Sequence, residues 1–207
     1  ESPVSVKDSS NGKTYTVTVV EGSGENAGKK VWSFTVNPAA DGNGDNEAAD
    51  GSHTFVIEAS DKAGNKFSKS VSVLTDVTAP EVNISKVPNT NDTEGKVYVF
   101  EGTSSDGNGS GVSEIKMKFG ESGSEVSVPV SESWFKSITF AEYEYFKSSG
   151  EKTVYVKASD RAGNSSEWKG KTFNYDTGKP EAKITEYKTD GDYNTVTSSG
   201  IKAGKAF

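Results

Sequence analysis

The sequence predicts an all-β protein built from β-sandwich domains in tandem, arranged like beads on a string. The first observation is a repeat: residues 54–65 return 99 positions later as residues 153–164, with seven of the twelve positions identical. A period near 100 residues is the size of a small domain and is too long for a solenoid unit. The second observation is that apolar residues alternate with polar ones between frequent turn signals, which is typical of a sandwich.

The predicted strands can be followed along the chain by their alternating residues. Residues that share a face are Phe55, Ile57 and Ala59; Val97 and Val99; Ile115, Met117 and Phe119; Val126, Val128 and Val130; and Val154, Val156 and Ala158. No segment keeps a helical period over its length, and only residues 141–146 suggest a single helical turn. The chain is therefore expected to consist almost entirely of strands and turns.

The repeated segment predicts a β-hairpin with a defined turn. Asp61 and Asp160 stand at the first turn position, where a carboxylate can accept local backbone N–H groups. Gly64 and Gly163 stand three residues later, where glycine adopts the left-handed conformation without strain. Asp at the first position and Gly at the fourth fit a type I turn with a bulge at the glycine.

Composition excludes several classes of function. The 207 residues have a net charge of -7, contain no Cys and are 31% hydrophobic. Disulfides, thiolate metal sites and Cys nucleophiles are therefore excluded. No basic run is present, so nucleic acid and anionic membranes are poor partners. No apolar run approaches the ~20 residues that span a membrane, and we expect no membrane insertion of this fragment. The acidic excess suits divalent cations, and equally the ordinary solubility of a secreted protein.

The repeated motif resembles that of a known family. A strand ending in Ala-Ser-Asp-x-Ala-Gly-Asn, a second strand and then Asp-x-Thr-Ala-Pro at residues 76–80 resemble the tandem bacterial Ig-like repeats of large surface proteins and adhesins. Ser-Gly-Val at residues 110–112 and Gly-x-His-Thr at residues 51–54 resemble the starts of two strands in the same family. The resemblance covers most of residues 1–181 and departs from the pattern at residues 177–180. It implies immunoglobulin-like sandwiches that serve as stalks, adhesive modules or spacers in secreted enzymes.

The position of the repeat along the chain predicts three segments. Residues 1–78 form an Ig-like domain that lacks its first strands, and residues 79–178 form a complete one. Residues 179–207 are either the start of a third repeat or a tail that donates strands to the incomplete first domain. In a linear arrangement the donation would join neighbouring chains head to tail. The abrupt start at Glu1 leads us to expect a fragment of a longer chain, without a visible signal peptide.

Two polar loops are candidates for calcium sites. Asp41, Asn43 and Asp45 alternate like the first half of a calcium loop, and Asp106 and Asn108 begin a similar series. Neither series has the closing Glu of such a loop. Plain solvated turns have the same composition, so both interpretations stay open at this point.

The linkers offer a second set of candidate metal ligands. Asp76 and Asp176 precede the two predicted joints, and the hairpin turns that carry Asp61 and Asp160 lie at one end of each domain. A Ca²⁺ ion shared between a turn and a linker would stiffen the joint, and some adhesins of the family resemble that design. The alternative is that Asp61 and Asp160 only cap their turns and that the linker aspartates are solvated.

The aromatic stretch that includes Trp134, Tyr143 and Tyr145 has two interpretations. It could bind a glycan by stacking, or it could fill and rim the core, as aromatic residues do in small sandwiches. The single histidine, His53, is expected to pack at a strand end.

The sequence therefore favours a non-catalytic structural or adhesive module of an extended bacterial cell-surface or secreted protein. The alternative is an accessory Ig-like array of a secreted glycan-active enzyme, in contact with polysaccharide. The expected partners are neighbouring Ig-like repeats, a host or cell-surface protein or glycan, and further copies of the chain by head-to-tail self-association. The expected location is extracellular or on the cell surface, and the one expected cofactor is Ca²⁺.

Overall fold

A computed structural model describes residues 4–88, 97–176 and 178, together with the backbone of residues 186–189 and 192–195. The predicted all-β fold class is confirmed, because the described chain consists of strands joined by turns and three short 3₁₀ segments. The 3₁₀ segments are Gly24–Asn26, Phe140–Glu142 and Glu144–Phe146. The last two account for the helical turn expected near residues 141–146.

The first unit contains eight strands. They are β1 (Val4–Asp8), β2 (Thr14–Tyr15), β3 (Val17–Glu21), β4 (Lys30–Phe34), β5 (Asn37–Pro38), β6 (Glu47–Ala48), β7 (Gly51–Ser60) and β8 (Lys66–Thr75). Four of them form a sheet in the order β2-β1-β7-β8, while β3 pairs with β4 and β5 pairs with β6. The buried cluster comprises Val4, Val6, Tyr15, Phe55 and Ile57.

The second unit is a β-sandwich. Its strands are β9 (Glu81–Lys86), β10 (Val97–Ser105), β11 (Val112–Phe119), β12 (Val126–Val128), β13 (Ser133–Thr139), β14 (Gly150–Asp160) and β15 (Lys169–Tyr175). The sheet β13-β10-β9 faces the sheet β12-β11-β14-β15 across one aromatic-rich core. Seven strands in two facing sheets are the immunoglobulin-like arrangement. Val130, which was grouped with Val126 and Val128 on one strand face, instead follows the end of β12 and is 46% exposed.

The two units use the same register in their four-stranded sheets. Val6 lies opposite Ile57 in the first unit, and Met117 lies opposite Val156 in the second. The repeated hairpin therefore forms equivalent strand pairs, β7–β8 and β14–β15. After the second unit, the backbone of β16 (Glu186–Thr189) pairs antiparallel with that of β17 (Asp192–Thr195). The rest of the segment predicted as a third repeat or a donated tail lies outside the described residues, apart from residue 178.

His53 belongs to a buried ion pair in the first unit. Its Nδ1 lies 2.5 Å from Oδ2 of Asp8, and its Nε2 lies 2.7 Å from the carbonyl oxygen of Ala49. Both partners are acceptors, so both hydrogen bonds form when the imidazole is protonated and each ring nitrogen donates. Burial alone would lower the pKa of His53, but the bonds to Asp8 and Ala49 outweigh burial and raise it above 6.5. The pair ties β1 to β7.

The pKa of Asp8 changes in the opposite direction. Burial alone would raise it, but hydrogen bonds from His53 and Ser10 lower it below its ordinary value of 3.8. The contribution of Asp8 to stability is therefore present above about pH 4 and is lost as the pH falls through the folded-state pKa. The contribution of His53 is present below pH 6.5 and is lost as the pH rises through its raised pKa.

We therefore predict that the free energy of unfolding of the first unit decreases as the pH rises above 6.5 and through the raised folded-state pKa of His53. The measurement is a series of urea titrations followed by the amide NMR signals of β7. The signals of β14 serve as the internal control, because Lys152 stands there at the position of His53. His53→Gln should abolish the pH dependence in β7. An unchanged pH dependence in this variant would show that another group is responsible.

Candidate metal centre

Three aspartates from separate parts of the chain meet where the first unit joins the second. Asp76 follows β8, Asp106 follows β10, and Asp160 ends β14. Each offers one carboxylate oxygen, and these three oxygens lie within 4.8 Å of one another. A cation with ligand distances of about 2.3–2.6 Å holds oxygens that are at most about 5 Å apart. The three oxygens are therefore close enough to share one ion.

The hairpin turn fixes Asp160. Its Oδ1 accepts the backbone N–H groups of Gly163 at 2.7 Å and of Asn164 at 2.8 Å, as predicted for the first residue of this turn. Gly163 has a φ of +99°, so the left-handed position is used as expected. The side-chain amide of Asn164 donates to Oδ2 of Asp160 at 2.9 Å and reaches Oδ1 of Asp76 at 3.4 Å. Asn164 therefore links the turn to the linker.

The linker aspartate is held from both sides of the joint. Oδ2 of Asp76 accepts the backbone N–H of Ser110 at 2.7 Å, and Oδ1 accepts that of Thr78 at 3.3 Å. Burial alone would raise the pKa of Asp76, but the hydrogen bonds from Ser110 and Thr78 lower it. The next linker residue, Val77, donates its N–H to Oδ1 of Asp50 in the first unit at 2.9 Å. The end of β8 is thus attached to both units.

The charged form of Asp106 is destabilised by burial and by its acidic neighbours. Burial raises its pKa above the ordinary value of 3.8, and the negative charges of Asp76, Asp160 and Asp50 raise it further. The hydrogen bond from the N–H of Gly111 to its Oδ2, at 2.6 Å, acts in the opposite direction and is outweighed. Like charges that raise the pKa of a carboxyl group mark a place where a positive ion would be stabilising.

The loop from Asp106 to Gly111 is shaped around the carboxylates. A Cβ atom at Gly109 would lie 2.7 Å from Oδ2 of Asp106 and 2.9 Å from Oδ2 of Asp76, so a larger residue would intrude between them. Arg161 donates from its guanidinium to the carbonyl oxygen of Ser110 at 2.8 Å. The bond from Arg161 holds the loop against the hairpin turn of β14.

The other candidate ligands named from the sequence are not members of this group of three carboxylates. Asp61 uses its carboxylate in its own turn, where it accepts the N–H groups of Ala63 and Asn65, both at 2.9 Å. Asp176, the counterpart of Asp76, accepts the N–H of Gly178 at 2.7 Å. Asn108 borders the cleft at the joint, and Asp45 takes no part in the cluster. Among the residues that the structure describes, the only close group of three or more acidic or histidine side chains is Asp76, Asp106 and Asp160.

The loop around Asp41 is bound by a lysine side chain. Nζ of Lys13 lies 2.7 Å from the carbonyl oxygen of Gly42, 2.5 Å from that of Gly44 and 2.7 Å from that of Glu47. An ammonium group thus occupies the place that a calcium ion would take among these carbonyls. The carboxylate of Asp41 accepts hydrogen bonds from Asn43, so the two side chains serve a local turn.

The aromatic residues that were candidates for glycan binding lie in or beside the core of the second unit. Trp134 is 2% exposed, and its indole N–H donates to the carbonyl oxygen of Thr103 at 3.1 Å, so its ring is not available for stacking on a glycan. Tyr143 packs edge-on against Phe119. The hydroxyl of Tyr145 accepts the backbone N–H of Thr153 at 3.0 Å. Packing in and around the core explains the three residues because small sandwiches fill their cores with aromatic rings.

No family model matches the chain, and no curated protein matches it in sequence. Similar solved structures include fibronectin(III)-like modules of Clostridium thermocellum CbhA, with a TM-score of 0.40 and 14% identity over 87% of this chain and 81% of that one. A Ca²⁺-stabilized adhesin that helps an Antarctic bacterium bind ice has a TM-score of 0.35 and 17% identity over 95% of this chain and 43% of the adhesin chain. A tetra-tandem repeat from the extending region of a large adhesion protein has a TM-score of 0.36 and 21% identity over 84% of this chain and 41% of the repeat structure.

The chain spans less than half of the two adhesin structures that it resembles. At these TM-scores and identities, the likenesses transfer no residue's role to this chain. Within the described residues, no helix is long and apolar enough to cross a membrane.

The raised pKa of Asp106 predicts that removing its charge raises the melting temperature in a chelator and lowers it in calcium. A carboxyl whose folded-state pKa is raised loses its contribution to stability as the pH rises through that value, so at pH 7 its charge is destabilising. Asp106→Asn removes the charge and keeps an oxygen for the N–H of Gly111. The variant should melt above the parent chain in a chelator and below it in saturating calcium. Melting on the same side of the parent in both conditions would exclude a cation at Asp106.

Proposed function

We propose that the chain is a non-catalytic structural segment of an extended bacterial surface or secreted protein, in which a Ca²⁺ ion fixes the joint between successive β-sandwich units. One observation carries the proposal: the linker carboxylate of Asp76 meets Asp106 and Asp160 of the second unit within 4.8 Å. Asp76 and Asp160 are residues that the sequence placed at a shared linker site, and Asp106 comes from the polar loop that was considered separately.

Calcium suits this group better than other biological cations. The donors are carboxylate oxygens from three separate segments, and Ca²⁺ accepts six to eight oxygen ligands in flexible geometry, whereas Mg²⁺ requires a near-ideal octahedron. Thiolates are absent from the chain, which contains no Cys. Extracellular calcium modules typically bind with a Kd of about 0.1–1 mM, so such a joint would be set by calcium outside the cell.

The ion would act on the geometry of the joint. Without it, three negative side chains repel one another at the point where β8 leads into the second unit. With it, Asp76 in the linker is bound to the turn of β14 and to the loop after β10. A linker held in one conformation would fix the orientation of the two sandwiches, so that together they act as a rigid spacer. This is the mechanical property that a stalk requires.

The adhesive and polysaccharide-binding alternatives have less support from the structure. Trp134 was the main residue for contact with a glycan, and it is buried in the core of the second unit. The proposal therefore concerns the structural role, and binding of a host protein or glycan remains a separate hypothesis.

The expected result of calcium addition is stabilisation of the parent chain. A ligand present at 100 times its Kd adds about 2.7 kcal/mol to the free energy of unfolding, and calorimetric titration should show one site per chain. Asp160→Asn should lose most of this response. Asp61→Asn is the matched control, because it makes the same change in the equivalent turn of the first unit, and it should respond like the parent chain. Equal melting curves of the parent chain in calcium and in a chelator would contradict the proposal.

A further inference from the structure

The core face of the first unit is open along β8. Val71 lies opposite Phe55 and Val73 lies opposite His53, and directly paired residues of antiparallel strands point to the same face of a sheet. Phe55 is fully buried, yet Val71 is 43% and Val73 is 39% exposed. Phe67, farther along the same face, is 62% exposed. The part of the inner face that β8 contributes is therefore largely in contact with solvent.

The second unit shows what covers the same face when the sandwich is complete. Phe173 and Tyr175 on β15 occupy the positions of Val73 and Thr75, and they are only 8% and 6% exposed. Strand β9 of the opposite sheet lies against β14 and β15. Nζ of Lys171 donates to the carbonyl oxygen of Ser85 on β9 at 2.8 Å, and Val82 of β9 is in the core.

The opposite sheet of the first unit is correspondingly small. Among the described residues it consists of the hairpin β3–β4, where the second unit has the three strands β13, β10 and β9. Trp32 on β4 stacks on Phe34, which borders the buried cluster, but Trp32 remains 39% exposed. Equivalents of β9 and β10 are therefore missing from the part of the first unit that the structure describes, and an apolar surface lies where these strands would be.

We propose that this open face binds the tail of a second copy of the chain, which supplies the two strands. The tail begins with the sequence that covers the face in the second unit: Pro-Glu-Ala-Lys-Ile at residues 180–184 corresponds to Pro-Glu-Val-Asn-Ile at residues 80–84. Ala182 and Ile184 stand at the positions of Val82 and Ile84, both of which contact the core. The apolar side of the donated strand is therefore present in the sequence of the tail.

The tail is long enough to supply both strands. When Pro180 is aligned with Pro80, residues 181–186 correspond to β9 and residues 197–205 to β10, while the antiparallel pair β16–β17 corresponds to residues 86–95, which lead from β9 to β10. An antiparallel pair such as β9 and β10 can be added to a sandwich as one piece. It would cover the apolar face and pair with a strand edge, which is the common mode of strand addition.

The direction of the chain favours a second copy over the same chain. The first unit joins the second at the turn that follows Asp160, whereas the tail leaves β15 after Tyr175, at the opposite end of that strand. Strand β15 alone separates the two ends by roughly 20 Å. When the tail of one copy binds the first unit of the next, the strands follow in the order of a complete unit. Repeated association of this kind gives an open filament or a closed ring.

The same association would place Asp176 of one copy beside the turn of Asp61 in the next. These residues are the counterparts of Asp76 and Asp160, which meet within a single chain. The contact therefore repeats the pairing of a linker with a turn, but no acidic residue follows Asp192 in the tail to take the place of Asp106, so a second cation site is not expected there. The apolar face and the tail do not require a cation, so association is expected in a chelator as well as in calcium.

The test uses two variants of the whole chain. One variant has a defective open face, and the other has a defective tail. Val73→Lys places a charge on the open face, and Ile184→Lys places a charge on the tail. Leu74→Lys is the matched control, because Leu74 is 53% exposed and, as the next residue of β8, points to the other side of the sheet. Circular dichroism verifies that each variant is folded, and Val71→Lys replaces Val73→Lys if that variant unfolds. Mass in solution is measured by light scattering over a concentration series.

Head-to-tail association predicts a specific pattern of masses. The parent chain and Leu74→Lys form species larger than the 21.9 kDa chain, and each defective variant alone stays monomeric. An equimolar mixture of the two defective variants forms a dimer of twice the chain mass, because one intact face and one intact tail remain. A parent chain that stays monomeric at every concentration overturns the proposal. Association that is lost with Val73→Lys but kept with Ile184→Lys overturns it as well and indicates packing of face on face.

Discussion

The joint between the two units depends on the repulsion and the hydrogen bonding of three carboxylates. Asp160 is fixed by its own turn, Asp76 is fixed by the loop after β10, and Asn164 bridges the two. This network brings negative charge together at a place where the pKa of Asp106 is raised by burial and by its acidic neighbours. In the proposed function, a cation would lower the energy of this arrangement and would fix the orientation of the two sandwiches.

The two units share a four-stranded sheet but differ in what completes it. In the second unit, β9 and β10 cover the inner face, and the core contains aromatic rings from both sheets. In the first unit, the same face is open beyond Phe55. The buried pair of His53 and Asp8 lies in the first unit, where Lys152 and Phe119 stand in the second. The incomplete unit thus combines an open apolar face with a pH-dependent ion pair in its core.

Local features of the joint could be predicted from the sequence, and long-range ones could not. The turn at Asp160 was predictable because its hydrogen bonds reach only residues that follow within four positions. The repeat also indicated that Asp76 precedes a joint. The meeting of Asp106 with both depends on where the loop after β10 lies, which no local pattern contains. The same holds for Lys13, whose ammonium group reaches a loop about 30 residues away, and for the burial of Trp134.

The central claim is that a cation makes the two units move as one body. The most direct measurement is ¹⁵N NMR relaxation of amide groups in β7 and β14, with and without calcium. The account predicts one common rotational correlation time for both strands in calcium, and shorter, different values in a chelator. Because self-association also slows tumbling, the measurement is made on the Ile184→Lys variant at a concentration where light scattering shows a monomer. Correlation times that do not change on addition of calcium would contradict the account.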